Sequence, residues 1–247
     1  MSGPTPLSAV TGLPVVAMVG GGQLARMTHQ AAIALGQSLR VLSAGAEESA
    51  ALVTADVRIG NHTDLDALRG LADGATVVTF DHEHVPTEHL RALEEAGHRV
   101  APGPAALVHA QDKLVLREAL AAAGEPQPAW VRASTVHGVT AFADEVGWPV
   151  VLKTPRGGYD GKGVLLVDGP EAATRGTAAE WFERSARATD GTGLLAEEAV
   201  AFSRELSAMV ARRPSGETRA WPVVESIQVD GVCDEVIAPA PGLDPRV

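Results

Sequence analysis

The sequence predicts an α/β fold in three parts. A Rossmann-like parallel-sheet domain comes first, then an α+β region, then the start of an antiparallel domain that looks incomplete. Three observations carry this. Short apolar runs alternate with helix-spaced apolar residues over the first hundred positions, the pattern of βαβ units. Pro102-Gly-Pro104 punctuates the end of that pattern. Beyond Gly193 the helices stop and turn-linked strands take over, which favours antiparallel pairing.

In order along the chain, Leu13-Pro-Val-Val-Ala-Met-Val19 reads as a buried strand and Gly20-Gly-Gly22 turns it. Leu24, Met27, Ala31 and Leu35 recur at helical spacing, with Gly36 as a C-terminal cap. Leu39-Arg-Val-Leu42 is a second strand, and a helix follows from Thr63-Asp-Leu-Asp66 to about Ala72. Residues 76–80, 87–96 and 98–101 read as strand, helix and short strand. One helix is expected over 105–123, closed by Gly124. Short strands at 130–132, 150–152 and 164–167 are separated by helices near 136–146 and 170–183. Strands are then expected at 194–196, 206–211 and 220–224, with a hairpin at 229–237. The corresponding domains are 13–104, 105–196 and 197–247.

Composition narrows the function. A net charge of -11 offers no basic stripe for nucleic-acid phosphates, although a local site on an acidic protein can still be basic. Cys233 is the single cysteine, so no intrachain disulfide forms. The first dozen residues lack a basic segment followed by an apolar core, and no apolar run approaches membrane-spanning length. A cytoplasmic protein is expected, with no membrane or nucleic-acid partner. Arginine is the default cation: 17 of the 20 basic residues are arginine, leaving only Lys113, Lys153 and Lys162. A lysine is a compact, flexible point charge that reaches between phosphate oxygens, whereas a guanidinium is a broad planar fork.

Two glycine-rich stretches are candidate sites. Gly20-Gly-Gly-Gln-Leu-Ala25 follows a strand and opens a helix, the context in which glycines and a helix N-terminus meet a phosphate. NAD, another phosphate-bearing ligand and a purely structural turn all fit; the second strand ends without the acid that an NAD ribose favours. Arg156-Gly-Gly-Tyr-Asp-Gly-Lys-Gly163 lies between two strands and has the composition of a loop that folds over nucleotide phosphates; a glycine-rich hairpin tip is its bland alternative. It is not a Walker A motif, since no Gly-Lys-[Ser/Thr] opens a helix. Leu194-Leu-Ala-Glu-Glu-Ala-Val200 and Glu205 suit an adenine edge and ribose hydroxyls, or equally a solvated strand end. Phe80-Asp-His-Glu-His-Val85, with Glu88 and His89, offers metal-ligand types, but alternation along a strand puts the histidines and the acids on opposite faces. A ligand-facing carboxylate at the sheet edge is the competing reading. No nucleophile elbow or catalytic triad is present in the sequence.

Together these motifs resemble the ATP-grasp superfamily and, within it, the carboxyaminoimidazole ribonucleotide synthetase family of purine biosynthesis. The resemblance rests on Gly20-Gly-Gly-Gln-Leu-Ala-Arg-Met27, Thr79-Phe-Asp-His-Glu83, Gln111-Asp-Lys113, Gly157-Gly-Tyr-Asp-Gly-Lys-Gly163, Glu197-Glu-Ala-Val200, Phe202-Ser-Arg-Glu205 and Trp221-Pro-Val-Val-Glu225. It covers residues 13 to about 240.

The resemblance implies an ATP- and bicarbonate-dependent carbon–nitrogen ligase acting on aminoimidazole ribonucleotide through carboxyphosphate, homodimeric at full length. It implies that Lys113 and Lys153 contact the nucleotide phosphates and that Gly158, Tyr159, Asp160, Gly161, Lys162, Gly163 and Val164 form the lid loop. Glu197, Glu198, Ala199 and Val200 would be the adenine hinge and Glu205 the ribose acceptor. Gln228 stands where the family often has a histidine near the nucleotide. Gln23 and Leu24 would hold the ribotide, with Glu83, Tyr159, Asp160 and Lys162 at its reacting end. The last three are the catalytic candidates. The acidic and Asn-Glu residues that bind Mg2+ in this superfamily are expected beyond Val247, so no metal ligand is assigned here and the chain reads as an N-terminal fragment, inactive alone. Other readings are a formate-dependent glycinamide ribonucleotide transformylase, a non-catalytic nucleotide-binding fragment and, most distantly, an NAD oxidoreductase.

Overall fold

The computed structural model describes residues 12–158, 162–187 and 193–244. The chain divides into two compact units, 1–111 and 112–247.

The first unit is a parallel sheet in the order β3-β2-β1-β4, from β1 (Val15–Val19), β2 (Ser38–Ser43), β3 (Asp56–Ile59) and β4 (Val77–Phe80). Helices α1 (Gln23–Ala34), α2 (Leu65–Ala72), α3 (Thr87–Glu95) and α4 (Pro104–Gln111) connect and flank the strands. β1 is buried at four of its five positions, as the central strand of a sheet covered on both faces should be. One apolar cluster packs Leu68, Leu71, Leu90 and Leu93 against Val19 and Val78; a second packs Ala25 and Ala32 against Met18 and Val41. Asp64 caps α2 by accepting from the amides of Asp66 and Ala67.

The second unit opens with α5 (Lys113–Ala123) and contains an antiparallel sheet in the order β5-β8-β6-β7. Its strands are β5 (Trp130–Ala133), β6 (Val150–Lys153), β7 (Val164–Val167) and β8 (Leu194–Glu198). Helices α6 (Val136–Val146), α7 (Pro170–Ala173) and α8 (Gly176–Arg187) supply Val139, Phe142, Ala173 and Phe182 to a core completed by Val150, Leu152, Leu194 and Ala196. Thereafter β9 (Glu205–Ser207), β12 (Val224–Val229) and β13 (Val232–Ile237) form a three-stranded antiparallel sheet, and β10 (Val210–Arg212) pairs with β11 (Thr218–Ala220).

Several expectations need correction. The helix expected over 105–123 is two helices, because Asp112 leaves the helical conformation to cap α5. The compact-unit boundary therefore falls after Gln111, one helix later than Pro104. The boundary drawn at 196/197 cuts β8, whose Glu197 and Glu198 pair with β5 and β6. Strand β3 was not anticipated: Asp56-Val-Arg-Ile59 is only half-buried and lacks an apolar run. Residues 98–101 contribute only an isolated bridge, Val78 to Val100. Among the described residues no helix is long and apolar enough to cross a membrane.

Candidate functional site

In the first unit, the carboxyl ends of β1, β2 and β4 converge on the glycine turn. Gly20 has φ 127°, and a Cβ there would lie 1.7 Å from Asp81 Oδ1. A Cβ on Gly21 would lie 2.2 Å from both Glu48 Oε2 and Ser43 Oγ. Two carboxylates therefore flank the turn at the sheet edge where open α/β folds bind ligands. Ser43 Oγ donates to Glu48 Oε2 at 2.5 Å, and Gln23 Oε1 accepts from Ser49 Oγ at 2.7 Å. Gln23 and Leu24 are exposed in the first turn of α1.

Asp81, directly after β4, was not singled out as a site residue. Its side chain is only 8% exposed, and Oδ1 has no hydrogen-bond partner among the described residues. Burial pushes its carboxyl above the ordinary 3.8 and nearby Glu48 adds to this, while His82 pulls the other way. His62, His82 and His84 cluster beside it, with ring centroids 4.9 Å (62–82) and 5.2 Å (82–84) apart. Burial, more than mutual repulsion, lowers His62 and His82 below 6.5. Half-buried Glu83 lies between these histidines in sequence. Gln111 fixes this segment: its Nε2 donates to the carbonyls of Glu83 and Val85, and its Oε1 accepts from Thr87 Oγ1.

Because the raised Asp81 carboxyl disfavours the charged form in the folded state, Asp81→Asn is expected to stabilise the fold at pH 7. The advantage should shrink as pH falls through the folded-state value toward 3.8, read by thermal unfolding across that range.

In the second unit the sheet sorts its side chains by strand alternation. Val150, Leu152, Leu194 and Ala196 face the helical core. Lys153 and Glu197 fall on the opposite face, where Glu197 lies across from Val151, two residues before Lys153. Lys153 Nζ meets Glu197 Oε2 at 2.5 Å, and Arg117 Nε on α5 meets Glu197 Oε1 at 2.5 Å. The Glu197 side chain is 4% exposed. Burial alone would raise its carboxyl; the hydrogen bonds from Arg117 and Lys153 outweigh that and leave it below 4.5.

A depressed carboxylate contributes stability above its unfolded value, and that contribution disappears as pH falls through the folded one. Acid unfolding of wild type should therefore steepen below about pH 4.5, and Glu197→Gln should flatten that limb in a pH-resolved denaturation series.

The glycine-rich loop leaves β6 and returns into β7. It is pinched at its base, where Thr154 N donates to Gly163 O at 3.0 Å. Gly158 has φ 77°, and a Cβ there would fall 2.4 Å from Lys162 O and 2.9 Å from Gly163 Cα. Lys162 and Val164 are exposed. Tyr159, Asp160 and Gly161 lie outside the described residues. Helix α5 is fastened beside the loop: Lys113 Nζ donates to Gly157 O at 2.8 Å and Lys113 N to Pro155 O at 2.9 Å. Asp112 caps α5 through the amides of Leu114 and Val115, and its other oxygen accepts from Arg156 Nε at 2.9 Å.

The candidates thus fall into groups. Lys153 and Glu197 touch; Lys113 meets the loop that contains Gly158 and Gly163. Glu198 N donates to Ala129 O, and Ala199 and Val200 follow β8. Glu205 and Gln228 are exposed on β9 and β12, where a register shift falls between Ile227 and Gln228. Arg117 and Asp112 went unassigned in the sequence. The available signal was an Asp at a helix start followed by amphipathic spacing, which marks a cap but not its second partner. Among the described residues no group of three or more His, Cys, Asp or Glu side chains is arranged to hold a metal ion.

A parallel-sheet unit ending in a carboxylate-flanked glycine turn, followed by an antiparallel sheet with a lysine and a glycine loop, defines a class. Residues 118–244 match the ATP-grasp domain, and residues 13–111 match the ribonucleotide synthetase preATP-grasp domain. The chain belongs to the ATP-grasp family. Within it the chain is similar to N5-carboxyaminoimidazole ribonucleotide synthase of Mycobacterium tuberculosis, 56% identical over 230 residues, covering 93% of this chain and 52% of that protein. Among solved structures it resembles the synthetase from Thermus thermophilus (32% identity, TM-score 0.77, 94% of this chain and 59% of that one). It also resembles the Aspergillus clavatus synthase in complex with ADP and 5-aminoimidazole ribonucleotide (26% identity, TM-score 0.79, 95% and 59%). The chain spans about half the length of the curated relatives it matches.

Proposed function

We propose that the protein containing this chain is an ATP-dependent carbon–nitrogen ligase that carboxylates the amine of aminoimidazole ribonucleotide with bicarbonate, in purine biosynthesis. The observation that carries this is the Arg117–Glu197–Lys153 group beside a pinched glycine loop within an ATP-grasp domain. Similarity to synthases of this activity, one of them bound to ADP and the ribotide, supports the substrate assignment.

In this reading Lys153 and Lys113 exchange their present oxygen partners, Glu197 Oε2 and Gly157 O, for nucleotide phosphate oxygens. The backbone of Glu197, Glu198, Ala199 and Val200 meets the adenine edge; Glu205 takes the ribose hydroxyls, with Gln228 beside the nucleotide. Gly158, Gly161, Gly163 and Val164 form the loop that covers the phosphates, and Gln23, Leu24 and Glu83 hold the ribotide. Tyr159, Asp160 and Lys162 serve the reacting end.

A bicarbonate oxygen attacks the γ-phosphorus and ADP leaves, giving carboxyphosphate. Its C–O bond then breaks to yield phosphate and carbon dioxide, and the ribotide amine adds to the carbon and gives up a proton. Such chemistry draws on charge neutralisation and exclusion of water rather than on a protein nucleophile. Magnesium ordinarily bridges nucleotide phosphates. Among the described residues no group of three or more His, Cys, Asp or Glu side chains is fitted to hold it. We further propose a cytoplasmic homodimer.

The test is release of phosphate by the full-length protein. It should require ATP, bicarbonate and the ribotide together, and formate should not replace bicarbonate. Turnover with formate and glycinamide ribonucleotide would contradict the assignment.

A further inference from the structure

We propose that Arg117 is a positioning residue for nucleotide binding, which acts by holding Glu197 so that Lys153 is free to leave it. The inference rests on the nucleotide-binding reading above and gives Arg117 a role that reading leaves unassigned.

Lys153 Nζ and Arg117 Nε occupy different oxygens of one carboxylate, Oε2 and Oε1. The carboxylate is almost fully buried, whereas the Lys153 side chain is 24% exposed and Arg117 17% exposed. Lys153 is therefore the more solvent-accessible of the two partners. A buried carboxylate that loses its last cation is left charged and unpaired, which is costly. With Arg117 in place, Lys153 can swing toward a phosphate and Glu197 keeps a charge-assisted partner. Without Arg117, Lys153 is the ion-pair partner left to Glu197 among the described residues, and the phosphates must compete with a buried carboxylate for it.

Arg117 is well placed to remain behind. It lies on α5, whose start is tied to the loop through Asp112, Arg156 and Lys113, and its own carbonyl accepts from Gln127 Nε2 at 3.2 Å. A guanidinium is less readily displaced from a carboxylate than an ammonium, being planar and more weakly hydrated.

The experiment measures ADP and adenosine affinities of the full-length protein by calorimetry, for wild type, Arg117→Met, Lys153→Met and the double variant. Arg117→Lys and Arg117→Gln are carried in parallel in case the methionine variant does not fold. Arg117→Met should weaken ADP about tenfold, equivalent to about 1.4 kcal/mol, and move adenosine less than about twofold, since adenosine makes no demand on Lys153. In the Lys153→Met background the same substitution should cost ADP less than about twofold. Arg117→Lys should stay within about threefold of wild type, and Arg117→Gln should follow methionine.

A purely structural bond between α5 and the sheet would lower ADP and adenosine together and would persist without Lys153; either result overturns the proposal, as does unchanged ADP affinity in both Arg117→Met and Arg117→Gln. Failure of wild type to bind ADP would instead sink the nucleotide-binding reading itself.

Discussion

Lys153→Ala is expected to weaken ATP binding by about a hundredfold, near 2.7 kcal/mol, with little change in ribotide affinity. The lysine ends a strand whose alternate residues, Val150 and Leu152, are fully buried in the sheet core. Its direction is set by that register and its ammonium by Glu197, so the cation is held ready before any nucleotide arrives. Alanine removes the proposed phosphate partner and leaves Glu197 paired with Arg117, so the fold should survive. Equilibrium binding of ATP and of the ribotide, measured separately, checks the split. Equal losses for both ligands would mean that the substitution disturbs the fold rather than the site.

Gly158→Ala is expected to lower kcat/KM by about a hundredfold while costing the fold about 1–3 kcal/mol. Two costs coincide at this position. Its φ of 77° is strained for any L side chain, and the added Cβ would sit 2.4 Å from the Lys162 carbonyl oxygen, inside the backbone of the returning loop strand. The loop cannot close its base without moving Lys162 or Gly163. Gly157 provides an internal comparison, since its φ is 68° but nothing lies within 4 Å of the added Cβ. Gly157→Ala should therefore show only the backbone strain, about 1 kcal/mol, and keep most of the activity. Similar activities for the two variants would contradict the pinched-loop account.

Much of this arrangement was legible in the sequence because it depends on local rules. The apolar run before Lys153 and the glycines after it were enough to place the lysine at a strand end with the loop directly behind it, whereas Glu197 was expected beyond the end of its strand and in the next domain. The division of the helix at Asp112 was less legible. Residues 105–123 keep helical spacing throughout, and only the capping geometry of one aspartate breaks them. β3 was missed because a short edge strand that is only partly buried, with one valine packed inward, carries no strong apolar signal. The partners of Glu197 were not readable at all. Arg117 lies 80 residues away and looks like any other solvated helix cation until the fold brings it to the carboxylate. The segment containing Asp81 was read as offering either a metal cluster or a ligand-facing carboxylate at the sheet edge; the burial of Asp81 against Gly20 is a property of the packed turn, not of its neighbours in sequence.

The proposed reaction transfers the γ-phosphoryl group of ATP to bicarbonate at the ATP-grasp site. The most direct measurement supplies [18O]bicarbonate, ATP and aminoimidazole ribonucleotide to the full-length protein and analyses the phosphate released by mass spectrometry. Attack by a bicarbonate oxygen, followed by cleavage of the C–O bond, predicts one 18O in each phosphate formed during turnover. Unlabelled phosphate accompanying carboxylated product would contradict it.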